Sequence, residues 1–187
     1  MANELTKKAL EKAFIKLLGE KPLKKITVSD VTNLCGVNRM TFYYHFEDIY
    51  SLLDYSLKEE FKNSLNGKYD ASNWLEGMAN IFNVCYENKN LVLSAYRFNS
   101  RGNVELILDP IVYDLVMHVV KEEINGHKVC DEDVVFVTNA YKHLLIGVVL
   151  DWIKNDMKED KDVILKKIGI MLNGETEWVL SKFEKHN

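Results

Sequence analysis

The segment GVNRMTFYYHF, residues 36–46, concentrates side chains that stack, donate hydrogen bonds and make apolar contacts. If Phe42 marks the buried side of a helix that turns about 100° per residue, Phe46 lies beside it. The opposite side then carries Arg39, Met40, Thr41, Tyr43 and Tyr44, with His45 at its edge. Such groups can hydrogen-bond to base edges and contact thymine methyl groups, so the pattern predicts a helix that lies in a DNA major groove.

The alternative is that these side chains pack inside the protein. A single tyrosine could pack against a neighbouring helix as readily as it could face DNA. The whole face is harder to bury, because one short helix in a three-helix unit cannot cover its full circumference. We therefore favour the exposed face.

Two helix starts are predicted here, one before this segment and one within it. Thr27 is a good N-cap with Asp30 three residues later, which is the spacing of a capping box. Asn38 caps the following helix, and Gly36 between them provides the backbone freedom that ends the earlier one. Two helices joined by a short turn that contains glycine predict a helix-turn-helix.

Apolar residues around these caps predict how the helices pack. Ile26 with Val31, and Val37 with Phe42, occupy the positions of hydrophobic staples. Leu34 is expected to face inward together with Val31. An amphipathic helix precedes them, ends near Gly19 and Pro22, and has its apolar stripe at Leu10, Ala13, Phe14, Leu17 and Leu18.

The stretch ITVSDVTNLCGVNRMTFYYHFEDIYSLLDY, with the helix before it, resembles the DNA-binding domain of the TetR/AcrR family of bacterial transcriptional regulators. The element Tyr43-Tyr44-His45-Phe46 carries much of the resemblance, which covers about the first quarter of the chain. The wording NRMTFYYHF is also similar to the subgroup that includes dihydroxyacetone-kinase regulators.

The resemblance implies a dimer that binds an operator with its paired N-terminal domains. It implies that Thr27 holds a phosphate from the start of the second helix, and that Tyr43 and His45 contact phosphates. The residues that it implies face bases are Arg39, Met40, Thr41 and Tyr44. Helix N-termini favour phosphate in any case. The expected DNA-binding set is Lys25, Thr27, Asn38, Arg39, Met40, Thr41, Tyr43, Tyr44 and His45.

One position departs from the family pattern. The family usually places a lysine just after the start of the fourth helix, where it meets phosphate, but Ile49 stands there. Lys8, Lys24 or Lys25 could compensate. Loss of one phosphate contact lowers the salt dependence of DNA binding by about one unit of slope.

Composition predicts an all-α protein of about nine helices. The 187 residues are 47% hydrophobic and include only two prolines, so long helices are permitted almost everywhere. We expect a helix-turn-helix domain over 1–48 and a larger helical dimerisation and sensor domain over 49–187. Residues 1–53 carry eight Lys or Arg against six acids, which is +2, whereas the remainder carries 16 against 22, which is −6. The N-terminal quarter is thus least repelled by an anionic partner.

The expected compartment is the cytoplasm, without a membrane partner. The start of the chain is too charged for a signal peptide, and the longest apolar run, residues 144–150, is too short to span a bilayer. Three widely spaced cysteines suit a reducing environment.

Two long helices are expected near the C-terminus, over 131–155 and 161–185. The first is apolar on more than one face, so we expect the pair to form a four-helix interface around a two-fold axis. The alternative is one large core that buries both faces. The expected interface residues are Phe136, Ala140, His143, Gly147, Leu150, Ile168, Met171 and Leu172.

Aromatic residues in the larger domain suggest a pocket for a small ligand, although they could simply fill the core. The expected pocket residues are Met78, Phe82, Tyr96, Tyr113, Met117 and Tyr141.

Asp109 and Pro110 read as the N-cap and first turn of another helix, to about Ile124.

No catalytic motif is present, and the spacing of His118, His127, Cys130 and Asp131 is not diagnostic of a metal site. We expect no enzyme activity, no cofactor and no metal. The sequence predicts a dimeric DNA-binding regulator, a repressor whose operator affinity is changed by a small ligand. The alternative is an activator or adaptor controlled by a protein co-regulator.

Overall fold

The computed structural model describes residues 2–64, 72–98, 102–124, 128–172 and 175–184. These residues form ten α-helices and one turn of 3-10 helix, and no β-strand occurs among them. The all-α fold class is therefore confirmed. The helices are α1 (Ala2–Glu20), α2 (Val28–Cys35), α3 (Arg39–His45), α4 (Ile49–Ser64), α5 (Trp74–Glu87), α6 (Lys89–Phe98), α7 (Gly102–Glu123), α8 (Asp131–Lys154), α9 (Lys161–Leu172) and α10 (Glu175–Glu184).

The first three helices form the predicted helix-turn-helix unit. The apolar stripe of α1 is buried, and so are Val31 in α2 and Phe42 in α3. Gly36 ends α2 in the left-handed region at φ 72°, a conformation that glycine adopts without a Cβ clash. The prediction that Leu34 faces inward is wrong, because 43% of its surface is exposed.

Helix α4 joins this unit to the rest of the chain. Asp48 caps it, since its Oδ1 accepts hydrogen bonds from the backbone N–H groups of Tyr50 and Ser51 at 2.9 and 2.8 Å. Its inward residues Leu52, Leu53 and Leu57 are completely buried. Because α4 contacts α1 on one side and α5, α6 and α7 on the other, one hydrophobic core runs from α1 to α10.

Helix α7 does not begin at Asp109 as the sequence indicated. It runs from Gly102 through Pro110 to Glu123. Proline removes the hydrogen bond to the carbonyl of Leu106, four residues earlier. Leu106 is 73% exposed, so water can solvate that carbonyl, while Leu108 and Val112 on the buried side keep the helix continuous.

The C-terminal helices differ from the expectation in one respect. Helix α8 matches its predicted range, but the single helix expected over 161–185 is described as two helices, α9 and α10.

Helix α8 is long and apolar enough to cross a membrane by length and composition. The core helix of a water-soluble protein meets the same criteria, so these properties do not make α8 a membrane span.

The sequence also predicts a break between helices near residues 65–73 and a helix end at Gly126. The break falls largely outside the described residues, and Gly126 lies outside them. His127, one of the four residues weighed as a metal ligand, also lies outside them. In the part of the chain that the structure describes, no group of three or more His, Cys, Asp or Glu residues is arranged to hold a metal ion.

Candidate nucleic-acid interface

Helix α3 presents a polar and aromatic face to solvent. Phe42 is completely buried and Phe46 is 6% exposed, which fixes the inward side of the helix. On the opposite side Met40 is 77% exposed and Tyr44 is 76% exposed. We call this surface the α3 face. Its exposed residues are Arg39, Met40, Tyr43 and Tyr44, and its half-buried residues are Thr41 and His45.

Local contacts order the start of this face. The Asn38 side chain accepts a hydrogen bond from the backbone N–H of Thr41 at 2.8 Å and one from its hydroxyl at 3.0 Å. Asn38 is therefore the N-cap of α3, as predicted. Its side chain orients Thr41 instead of standing free to contact a base.

Aromatic contacts order the rest of the face. The rings of Phe42 and Tyr43 pack edge to face with their centroids 5.6 Å apart. The rings of Tyr44 and His45 pack in the same way, with their centroids 5.0 Å apart. Edge-to-face pairs restrict ring rotation and contribute stability beyond their buried area. The exposed tyrosines are thus held in place before any partner binds.

Arg39 connects α3 to the helix before it, because its guanidinium donates a hydrogen bond to the Ser29 hydroxyl in α2. A guanidinium has five N–H donors in a planar fork. Arg39 therefore retains donors that can reach a guanine edge or a phosphate while it spans the turn between the two helices.

The start of α2 carries a complete capping box. The Thr27 hydroxyl accepts from the Asp30 backbone N–H at 3.2 Å, while the Asp30 carboxylate accepts from the Thr27 backbone N–H at 2.8 Å. Lys21 pairs with the same carboxylate at 2.9 Å. The Thr27 side-chain hydrogen bond, followed by that of Lys21, lowers the pKa of Asp30 to about 2. Asp30 is therefore ionised at neutral pH, and Lys21 offsets its charge.

Ile49 is 8% exposed and belongs to the hydrophobic core. Its side chain contributes no cation to the α3 face. Of the lysines that could compensate, Lys24 and Lys25 are exposed in the 3-10 turn Leu23–Lys25, directly before α2, and Lys8 is exposed on α1. Lys24 and Lys25 therefore lie in the sequence nearest to the N-terminus of α2, where a phosphate is favoured.

The predicted pocket residues are spread over four helices. Met78 and Phe82 of α5 are completely buried, while Tyr96 of α6, Tyr113 and Met117 of α7 and Tyr141 of α8 are half-buried. Tyr141 lines a cavity of about 60 Å³. Burial raises the pKa of the Tyr141 hydroxyl, which keeps it protonated as a hydrogen-bond donor at neutral pH.

Other residues around this cavity were missed from the sequence. They are mainly apolar side chains of α5, α7, α8 and α9, namely Trp74, Leu115, Val116, Val119, Val120, Leu145 and Leu172, together with Glu123 and Thr176. Their helical spacing indicates only core packing. A cavity depends on how the helices meet, and no local pattern encodes that.

The predicted interface residues divide into two groups. Phe136 is 64% exposed, Met171 is 48% exposed, and Ala140 and His143 are also exposed. Leu150 and Ile168 are each 2% exposed and pack inside the single chain. Gly147 and Leu172 are half-buried. An interface formed by these helices would thus rest on the first group. Ile170 of α9 is a further exposed apolar residue, at 73%.

Comparison with known proteins identifies the class. A TetR-type family model, described as the transcriptional regulator C-terminal region, matches residues 72–174, more than half of the chain. The chain belongs to this family of transcriptional regulators. The resemblance found in the N-terminal quarter is therefore confirmed by a match to the other part of the sequence.

Individual relatives include regulators of dihydroxyacetone-kinase genes. The chain is 27% identical over 85 residues to the HTH-type dhaKLM operon transcriptional activator DhaS of Lactococcus lactis subsp. lactis strain IL1403. The match spans 46% of each protein, so it covers about half the length of this relative.

Solved structures share the fold. The dihydroxyacetone kinase operon activator DhaS superposes with a TM-score of 0.68 at 18% identity, over 95% of this chain and 97% of that one. A TetR transcriptional regulator from Rhodococcus sp. RHA1 gives 0.59 at 16% identity, over 90% and 93%. These proteins and the matched family are transcriptional regulators and not enzymes.

Proposed function

We propose that this TetR-type regulator acts in the cytoplasm as a homodimer that binds a roughly palindromic DNA operator with the α3 face. The exposure of that face carries the proposal. Tyr44 and Met40 are about three-quarters exposed in a helix whose other side is fully buried. Arg39, Met40, Thr41 and Tyr44 would contact bases, and Lys25, Thr27, Tyr43 and His45 would contact phosphates, with Asn38 as the cap that orients Thr41.

We propose two functional units, with the boundary at the start of α4. Residues 1–48 would bind DNA, and residues 49–187 would dimerise and receive the regulatory signal. The Asp48 cap begins a new helix at this boundary. Since α4 contacts helices of both units, it is an element that can transmit a change from one to the other.

The proposed dimer pairs α8 and the C-terminal helices with their copies around a two-fold axis. Phe136 of α8 and Ile170 and Met171 of α9 provide exposed apolar surface for such an interface. Burial of such residues stabilises association by about 25 cal/mol per Å² of apolar surface, before the cost of association is subtracted. Two α3 faces would then reach half-sites roughly 34–36 Å apart.

Regulation would follow from a shift between dimer conformations. A ligand that binds one spacing of the two α3 faces more tightly changes operator affinity by its difference in affinity, and by no more. We propose repression relieved by a small molecule bound in the C-terminal unit, around the residues predicted for the pocket. The Tyr141 cavity supports this location but, at about 60 Å³, must enlarge to take a ligand.

A second candidate is activation with a protein co-regulator in place of a small ligand. It is supported by the name of the relative DhaS, an operon transcriptional activator. The small volume of the Tyr141 cavity also favours it. Transcription assays with the purified regulator would distinguish the two, since an activator raises transcript levels from the bound promoter and a repressor lowers them.

Titration of labelled DNA from upstream of the protein's own gene tests the proposed function. We expect specific binding that weakens as salt rises, because phosphate contacts release counterions. An adaptor that has lost DNA binding would give no difference between this DNA and a scrambled duplex. That result would reject the proposed function.

A further inference from the structure

A groove of about 660 Å³ lies between the N-terminal helices and α6. One wall is the end of α1 and the turn after it, residues 18–24, and the other is formed by residues of α6 from Asn90 to Phe98. Tyr50, in the first turn of α4, completes the lining. The volume falls within the range of about 300–1,000 Å³ that is typical of small-molecule sites. The groove is separate from the Tyr141 cavity, with which it shares no lining residue.

The groove has an aromatic surface. The rings of Tyr50 and Phe98 stack with their centroids 3.7 Å apart and their planes at 9°. Tyr50 is 37% exposed and Phe98 is 49% exposed, so the pair still presents apolar surface to the groove. A flat ring can pack against such a surface and gain the stabilisation of an aromatic contact. Apolar Leu23 and Leu93 from opposite walls extend this surface.

Cations outnumber acids in the lining of the groove, although the whole chain has a formal charge of −4. Its charged lining residues are the cations Lys21, Lys24 and Arg97 and the single acid Glu20. Lys21 is paired with Asp30, and Arg97 with Asp156, so both side chains are oriented by a partner outside the groove. Arg97 uses one of its nitrogens for Asp156 and keeps other N–H donors. Lys24 is exposed on the opposite wall.

We propose that this groove binds a small aromatic carboxylate. Its ring would pack against Tyr50 and Phe98, and its carboxylate would lie between Arg97 and Lys24. Arginine suits this role because its planar fork matches the geometry of a carboxylate. A neutral aromatic molecule would gain no charge-assisted hydrogen bond from Arg97 or Lys24. An aliphatic acid would leave the ring surface uncovered, so both should bind less tightly.

The ligand would also affect DNA binding, a consequence that rests on the proposed function. It would contact α6 and the turn that precedes α2 at the same time. It would further occupy Lys24, one of the lysines available for a phosphate near α2. Operator affinity should therefore fall when the groove is filled, and the salt slope should become shallower by about one unit. By linkage, operator DNA should weaken ligand binding by the same factor.

Calorimetric titration of the full chain with 2-naphthoate tests the site without DNA. We expect one saturable site per chain, with at least tenfold weaker binding of 2-naphthamide and of cyclohexanecarboxylate. Arg97→Gln and Phe98→Ala should each weaken 2-naphthoate at least tenfold. Ser94→Trp, which fills the groove without removing either contact, should abolish binding. Thermal melts would establish that each variant is folded.

Tyr86→Ala with Lys89→Ala is the matched control, because it likewise removes an aromatic ring and a cation, which lie 5.9 Å apart outside the groove. It should leave 2-naphthoate binding unchanged. The proposal is overturned if the wild-type chain shows no saturable binding, or if the groove variants bind as the control does. If 2-naphthoate binds but operator affinity does not change, the link to DNA is rejected. Failure of DNA binding alone would reject the proposed function and leave the ligand site standing.

Discussion

Phe42 and Tyr44 are two residues apart in α3, yet Phe42 is completely buried whereas Tyr44 is 76% exposed. A helix turns about 200° over two residues, so these side chains point in nearly opposite directions. The hydrophobic core holds one and leaves the other in solvent. The same geometry exposes Met40 and Tyr43, and the packing of a small helical unit thereby forms the surface that we propose binds DNA.

The capping box of α2 should stabilise the N-terminal unit. We predict that Thr27→Ala lowers the free energy of unfolding by about 0.5–2 kcal/mol, because the Asp30 N–H loses its acceptor. It should also raise the pKa of Asp30 from about 2 toward its ordinary value, since the Thr27 side chain is the largest cause of the lowering. Urea unfolding and NMR titration measure the two effects. Thr27→Ser keeps the hydroxyl, and equal losses in both variants would contradict the prediction.

Glu11 should make the protein less stable as pH rises. Its side chain lies on α1, largely buried, and burial together with nearby Glu60 and Glu59 raises its pKa to about 7 from the ordinary 4.5. Between these values the folded state binds more protons than the unfolded state, so its contribution to stability is full below pH 4.5 and is lost as pH passes 7.

We therefore predict that Glu11→Gln raises the free energy of unfolding at pH 8 by about 1–3 kcal/mol and has little effect at pH 4.5. Urea unfolding at several pH values measures this difference. Glu87→Gln, an exposed acid on α5, is the control and should change neither value. A difference in stability between wild type and Glu11→Gln that is the same at pH 4.5 and at pH 8 would contradict the assignment.

Lys142 is a buried cation whose ammonium contacts the Asp109 carboxylate at 2.8 Å. We predict that Asp109→Asn destabilises the protein by about 1–3 kcal/mol, because it leaves a charge buried without its anion. Asp109 is 42% exposed, so water limits the loss. Lys142→Met removes the charge and should cost less, and Asp109→Asn should have little further effect in that background. Equal effects of Asp109→Asn in both backgrounds would contradict this coupling.

The proposed dimer should dissociate when charge is placed on its exposed apolar side. We predict that Phe136→Glu and Met171→Glu each shift the protein from dimer toward monomer, because a carboxylate would be buried without a partner. Sedimentation equilibrium measures the change. Leu106→Glu alters a more exposed apolar residue on α7 and should leave the dimer intact. A wild-type protein that sediments as a monomer would reject the interface.

Local signals allowed the N-terminal unit to be predicted from sequence. The caps at Thr27 and Asn38 and the left-handed Gly36 depend on side chains within three or four residues, so a short segment contains the whole cause. The exposed side of α3 followed from helical periodicity and the two buried phenylalanines. The inward side chain expected at Leu34 was wrong, because periodicity within the eight residues of α2 does not show how far the neighbouring helices cover it, and Leu34 is 43% exposed.

The larger part was less predictable because its causes are distant in sequence. The passage of α7 through Pro110 depends on packing that outweighs a local breaker. The stack of Tyr50 on Phe98 joins residues from different helices, and neither residue signals the other. The Tyr141 cavity depends likewise on how separate helices meet.

The most direct test of the central claim is a fluorescence-anisotropy titration of wild type, Tyr44→Ala and Arg39→Ala against labelled DNA from upstream of the protein's own gene. We predict that each substitution weakens specific binding by about 1–3 kcal/mol and leaves binding to scrambled DNA much less affected. Tyr86→Ala removes an exposed tyrosine outside the α3 face and serves as the control. Unchanged affinity for the upstream DNA in both α3 variants would contradict the claim that this face reads DNA.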